Sequence, residues 1–275
     1  MLILDCFMFW NEIEVLYMRL DILYDYVDYF IICESKSSHS GKIKKNEYIF
    51  KKNKKLYEKY LDKIIFIEYG DDEFVGKGDK ASGTAGIWPN ENKQRKWLFN
   101  KIKLYPEDSI VAISDVDEIW DPKNIDIIKK NVNEHNVCGV EQRLSYYYVN
   151  CFKGFWRGTY FIKRKYLTFN KIQTLRNERS RHPSYVKGGW HFSWLGDVDR
   201  LKEKFECIAE HDIIKTHSST ENIKDCITNI KDLFGRVDSY VPKIINIDDN
   251  LQLYPKNIKK YIEKFPHIVF HNKEL

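Results

Sequence analysis

Asp115 and Asp117, separated only by Val116, follow an apolar run from Ser109 to Ile113. If that run is a β-strand, alternation aims both carboxylates to one side and turns Val116 into the core. Two carboxylates that close repel unless a cation or donors compensate them. Mg²⁺ or Mn²⁺, sharing its shell between carboxylate and phosphate oxygens, is the ordinary solution. The strand end is also where ligands bind in open α/β sheets. A solvated acidic turn is the plain alternative. A haloacid-dehalogenase-like phosphatase would use the same pair as nucleophile and general acid on a magnesium site. That motif normally sits near the N-terminus, whereas Glu118-Ile119-Trp120 follows here in mid-chain.

The elements that must position this pair read as alternating strands and helices. Met1 to Phe9 has the apolarity of a buried strand, and Ile13, Leu16, Tyr17, Leu20 and Tyr24 are spaced along one helical face. Asn11 with Glu14 gives that helix a capping-box-like start. Tyr29 to Cys33 completes a βαβ unit. A lysine-rich helix from Lys51 to Lys63 then leads to a strand at Ile64 to Tyr69. Gly70 to Pro89 carries five glycines and no period, the composition of a solvated insertion or a lid. A helix spans Asn90 to Lys103. Further strands are expected at Val137 to Val140, Tyr146 to Val149, Tyr160 to Lys163 and Gly188 to Trp194, and Ile244 to Ile247 with a basic tail closes the chain. Helices are expected at Asp199 to His211 and Glu221 to Phe234. The division is a main domain over 1–245 and a C-terminal helical extension, 246–275, packed on it.

Composition narrows the function classes. The chain has 275 residues, 43% hydrophobic and 31% charged, which excludes a disordered or collagen-like chain. Its net charge of +5 is spread along the sequence. Lys51 to Lys63 forms the one basic cluster and holds few aromatics, so no nucleic-acid partner is expected. Cys6, Cys33, Cys138, Cys151, Cys207 and Cys226 show no zinc or disulfide spacing and read as buried thiols. Asp5 interrupts the apolar N-terminus, and no stretch approaches the roughly 18 apolar residues of a membrane span. A soluble, cytoplasmic protein without an integral membrane segment is the expectation.

Taken in order, several blocks resemble glycosyltransferase family 17. They begin with Asp5-Cys6-Phe7, Asn11-Glu12, Arg19-Leu20, Val27-Asp28 and Glu34-Ser35, then Glu91 with Gln94-Arg95. The most specific are Ile113-Ser114-Asp115-Val116-Asp117-Glu118-Ile119 and Gly188-Gly189-Trp190-His191-Phe192-Ser193-Trp194. Weaker ones are Tyr147-Tyr148, Trp156-Arg157-Gly158-Thr159, Lys215 with His217, and Asp232-Leu233-Phe234 with Arg236. The resemblance implies an α/β, GT-A-type, Rossmann-like nucleotide-sugar-binding fold with a mixed central sheet. It implies inverting transfer from a UDP-sugar, UDP-GlcNAc first, to a carbohydrate or glycan acceptor, with Mn²⁺ or Mg²⁺. Within that frame Asp117 and Asp115 hold the ion, directly or, for Asp115, through water or ribose. His191 is a third ligand or a phosphate donor; otherwise it is a core histidine. Gly188 and Gly189 allow a ligand to approach the backbone closely. Trp190 and Trp194 stack on a sugar or pack in the core. Arg95 binds nucleotide or diphosphate, or simply pairs with Glu91 one turn away. Glu34 accepts from uracil or ribose unless it is a surface turn residue, and Arg236 is a lesser phosphate-side candidate. For the base, Asp197 comes first, then Glu141 and Glu118. A non-catalytic carbohydrate-binding protein is the remaining alternative.

Overall fold

The apolar run that opens the chain becomes the hub of a sheet. In a computed structural model describing residues 1–41, 43–70, 89–208, 216–235 and 241–271, strand β1 (Ile3–Phe9) is buried along its whole length. A strand covered on both faces reads as continuous apolar sequence for that reason. It pairs in parallel with β2 (Tyr29–Ser35) and with β4 (Ile110–Asp115). Strand β3 (Ile64–Tyr69) extends the parallel set beyond β2. Helix α1 (Ile13–Leu23) makes the β1-to-β2 crossover. Asn11 does not cap it. Glu12 occupies that position, its carboxylate accepting from the backbone N–H groups of Trp10 and Asn11 at 3.2 and 3.1 Å.

Beyond β4 the sheet turns antiparallel, giving the mixed α/β architecture expected. β7 (Cys151–Lys163) runs against β4, and β6 (Val137–Tyr146) runs against β7. The three short strands expected between 137 and 163 are therefore one long hairpin, and 147–149 belongs to its turn. β6 pairs in parallel with β8 (Tyr185–Ser193), and β8 pairs antiparallel with β5 (Glu118–Trp120). Among the described residues the order is β3-β2-β1-β4-β7-β6-β8-β5, with β9 (Lys243–Ile244) attached to β7.

That order forces the sheet to curl. β4 and β5 are four places apart, about 19 Å in a flat sheet at about 4.8 Å per strand. Only Val116 and Asp117 separate them in sequence, a reach of about 10 Å from Asp115 to Glu118 at full stretch. The β7-β6-β8 side must fold back over β4. Thr159 of β7 accordingly donates to the Glu118 carbonyl at 3.0 Å. Two glycines permit the closure. A Cβ on Gly158 would collide with the Glu118 carboxyl group, and one on Gly189, whose φ is +106°, would collide with the Ile119 carbonyl. Gly189 thus admits the backbone of β5, and not a ligand as its sequence context suggested.

The expected Lys51 to Lys63 helix is a short helix, Ile49–Lys52, followed by a 3-10 segment, Lys54–Lys63. The Asn90 to Lys103 helix divides into Pro89–Trp97 and Phe99–Ile102. Most of the glycine-rich stretch, 71–88, lies outside the described residues. At the C-terminal end a helix, Ile258–Lys264, places Ile258 and Tyr261 in the same hydrophobic cluster as β1 and α1. All six cysteines are buried free thiols. Among the described residues no helix is long and apolar enough to cross a membrane.

Candidate active site

The acidic motif faces a cleft by means of a turn, and strand alternation is not what aims it. β4 ends at Asp115, Val116 and Asp117 form the turn, and β5 begins at Glu118. Arg19 of α1 shapes this turn from within the core. Its guanidinium is fully buried and pairs through Nε and Nη2 with the Asp5 carboxylate, both at 2.7 Å. Nη1 donates to the carbonyls of Asp115, Val116 and Glu118 at 2.8, 3.2 and 3.0 Å. A buried charge is tolerable only when its donors are satisfied in this way.

A second ionic network fixes Asp115. Its Oδ1 accepts from Arg95 Nη2 at 2.9 Å and its Oδ2 from Arg176 Nη2 at 2.6 Å. Arg176 also forks onto Glu118, with both nitrogens at 2.7 Å. Glu118 further accepts from the Trp156 indole at 2.7 Å and the Asp115 backbone N–H at 2.9 Å. Arg95 completes the series by pairing with Glu91 at 2.7 Å. Burial opposes ionisation of Asp115, but Arg176 and Arg95 outweigh it and hold its carboxyl well below the usual range.

Asp117 is held less tightly. It lines the cleft with His191 Nε2 at 3.5 Å and Lys204 Nζ at 3.9 Å from its Oδ2. Burial raises its pKa, and the imidazole and ammonium more than reverse this, so it stays ionised. His191 reaches the site on β8, opposite Glu118 in the β5 register. Its Nδ1 is buried without a hydrogen-bond partner among the described residues, and its ring centroid lies 5.4 Å from that of Trp156. The cleft measures about 610 Å³ and is also lined by Arg95, Arg176, Arg179, Trp194 and Lys204.

The other anticipated residues fall in varied places. Trp194 lines the cleft and packs at a tilt against Phe205, with centroids 4.8 Å apart. Trp190 belongs to the core and donates its indole N–H to the Leu253 carbonyl at 2.9 Å. The two do not share a face, because β8 ends at Ser193 and Trp194 takes a φ of +54°. Glu34 is fully buried, where it accepts from Lys45 at 2.8 Å and from the N–H groups of Ile49 and Phe50 at 2.6 and 2.9 Å. It holds a helix start and does not line the cleft. Asp197 caps the Val198–Cys207 helix through the Arg200 N–H at 3.0 Å and opens onto a different depression. Glu141 pairs with Arg157 at 3.2 Å, away from the cleft. Of the three anticipated bases only Glu118 lines the cleft, and both its oxygens are engaged. Arg236 lies outside the described residues.

Arg176 and Arg179 were not anticipated. They lie in Arg176-Asn177-Glu178-Arg179-Ser180-Arg181, a charged stretch that resembles a solvated surface. Arginines spaced by three on a short helix and its following turn were the available signal.

For a metal, the donor set divides. Asp115 would have to leave two guanidinium groups, whereas Asp117 and His191 present an ionised carboxylate and an imidazole held only by long contacts. Among the described residues no three His, Cys, Asp or Glu side chains gather into a cage. A cation here would complete its shell from substrate oxygens.

The family description that matches is "Glycosyltransferase family 17", over residues 2–265. The chain belongs to glycosyltransferase family 17. It is therefore a glycosyltransferase, and the phosphatase and non-catalytic readings of the acidic motif are set aside. The ion-paired state of Asp115 agrees, since a carboxylate held by two arginines is no free nucleophile. A comparison with curated proteins finds no match. Similar solved structures include one described as "Crystal structure of 4-diphosphocytidyl-2C-methyl-D-erythritol synthase", 10% identical, covering 68% of this chain and 88% of that one at a TM-score of 0.42. Another is S. aureus TarS 1-349, 10% identical, covering 74% of this chain and 63% of that one at 0.41.

Proposed function

We propose that this family 17 enzyme transfers a sugar, GlcNAc first, from a UDP-sugar to a hydroxyl of a carbohydrate acceptor, with inversion and with Mn²⁺ or Mg²⁺ bound. The observation that carries this reading is Asp117, an ionised carboxylate facing a 610 Å³ cleft and restrained, among the described residues, only at 3.5 and 3.9 Å. Together with His191 it suits a small hard cation that takes its other ligands from a diphosphate. Such an ion, when bound, supplies positive charge to the departing nucleoside diphosphate.

The charge of the cleft supports the same reading. Among the described residues five carboxylates and five lysine or arginine side chains line it, so a diphosphate arrives as uncompensated negative charge. A divalent cation is what restores the balance. The volume fits a small-molecule site. Asp115, fixed by Arg95 and Arg176, acts as a rigid neighbour of the ion site, and Trp194 offers an apolar face to the acceptor sugar. An inverting transfer needs a proton acceptor on the side opposite the leaving group. Asp115 is a third exposed but clamped by two arginines; of the other cleft carboxylates Glu12 and Glu91 keep the most solvent access, at 17% and 26% of their side chains, and the base is assigned to this pair.

The test is a panel of UDP-sugars assayed for donor hydrolysis and transfer with and without Mn²⁺, alongside Asp117→Asn. UDP-GlcNAc consumption that needs the metal and vanishes in the variant is expected. Undiminished turnover by Asp117→Asn would overturn the assignment of the ion.

A further inference from the structure

We infer that Arg179 is the guanidinium that receives the donor's diphosphate, the part that the sequence suggested for Arg95. The inference rests on the nucleotide-sugar reading above and names a residue within it.

The argument is one of charge left unspent. Glu91, Arg95, Asp115, Arg176 and Glu118 form an alternating chain in which each arginine lies between two carboxylates at 2.6 to 2.9 Å. Neither guanidinium can turn to a ligand without giving up two carboxylates, and for Arg176 one of them is the fully buried Glu118. Arg179 lines the same cleft, yet among the described residues no carboxylate pairs with it. Among the described residues its guanidinium makes one hydrogen bond, a long donation from Nη1 to the Arg176 carbonyl, 3.3 Å. Its guanidinium lies over the Trp156 ring at 4.6 Å from the centroid.

Stacking of this kind fixes the guanidinium plane while leaving its N–H edges open, which suits a forked grip on phosphate oxygens. The turn that carries Arg179 is itself pinned, because the Tyr185 hydroxyl donates to the Arg179 carbonyl and accepts from the His182 N–H. Trp156 also neighbours His191 at 5.4 Å, and His191 neighbours Asp117. One indole thus has Arg179 and the proposed ion ligands as neighbours, an arrangement able to meet a diphosphate with the cation and the guanidinium together.

The test compares UDP with uridine, each with MnCl₂, by ligand-detected NMR titration on the full chain. Arg179→Gln should weaken UDP at least tenfold and leave uridine within twofold, and Arg179→Lys should fall between Gln and wild type. Lys130→Gln, at an exposed position outside the cleft, serves as the control for a lost surface charge. Unchanged UDP affinity in Arg179→Gln overturns the inference, as does an equal loss for UDP and uridine, which would make Arg179 structural. If the wild-type protein binds UDP with no metal dependence and Arg179→Gln still loses it selectively, the ion assignment fails while this one stands. If wild type binds neither ligand, both fall.

Discussion

At the scale of single residues, the two aspartates of the motif have different work, and substitution should separate them. Asp117→Asn keeps the turn, since Arg19 holds that turn through backbone carbonyls, and removes the ion's carboxylate. The expected outcome is a folded protein with unchanged melting temperature and transfer lowered at least a hundredfold, read by calorimetry and donor turnover. Asp115→Asn instead leaves Arg95 and Arg176 each short of a counter-charge. Breaking one partner of a buried pair typically costs about 3–5 kcal/mol, and Asp115 is a third exposed at its side chain, so the lower part of that range applies. Its melting temperature should fall clearly; an unchanged value would show the arginine clamp to be incidental.

At the scale of elements, the C-terminal helix is tied to α1 by one carboxylate. Asp21 accepts from Tyr60 and Tyr261 hydroxyls at 2.7 and 2.8 Å and from Lys260 at 3.2 Å. Burial by itself would raise its pKa, but these donors bring it down to about 2. A depressed carboxyl contributes stability that is present above its unfolded value near 3.8 and is lost as pH falls toward 2. The contribution is about 2 kcal/mol at neutral pH. Asp21→Asn should therefore lower stability at pH 7 and flatten the stability profile between pH 4 and 2, measured by denaturant titration; an unaltered acid limb would refute the linkage. The parallel elements were legible in the sequence because β1, α1 and β2 each announce themselves by local periodicity. The 137–163 hairpin was not. Its β7 half includes Lys153-Gly154 and Arg157-Gly158, pairs with the composition of turns, whereas both lie within a strand and Gly158 makes room for the Glu118 carboxyl group of β5. Gly158→Ala should consequently cost both stability and activity by displacing Glu118, and a crystal structure of the variant with Glu118 unmoved would contradict that.

At the scale of the whole molecule, the site exists because a sheet edge returns to the strand that launched it, and this explains which parts of the site could be read in advance. The acidic motif was visible since the turn that carries it is contiguous in sequence. Arg176 meets Asp115 across 61 residues, and no local pattern encodes a contact set by sheet closure. For the same reason Glu34 and Trp190, sound candidates by type, lie among structural partners. Among the described residues closure also gathers as many carboxylates as lysines and arginines around the cleft, although the chain as a whole carries +5. Electrostatic steering depends on an imbalance of charge lining the cleft. UDP without metal should thus bind weakly and with little response to salt, its affinity changing less than about threefold as screening shortens from about 10 Å at 0.1 M to about 3 Å at 1 M. Adding Mn²⁺ should strengthen binding at least tenfold, and EDTA should reverse it, followed by calorimetric titration at each salt concentration. Tight, steeply salt-dependent binding of metal-free UDP would mean that side-chain cations alone meet the diphosphate, and the balance inferred for the cleft would be wrong.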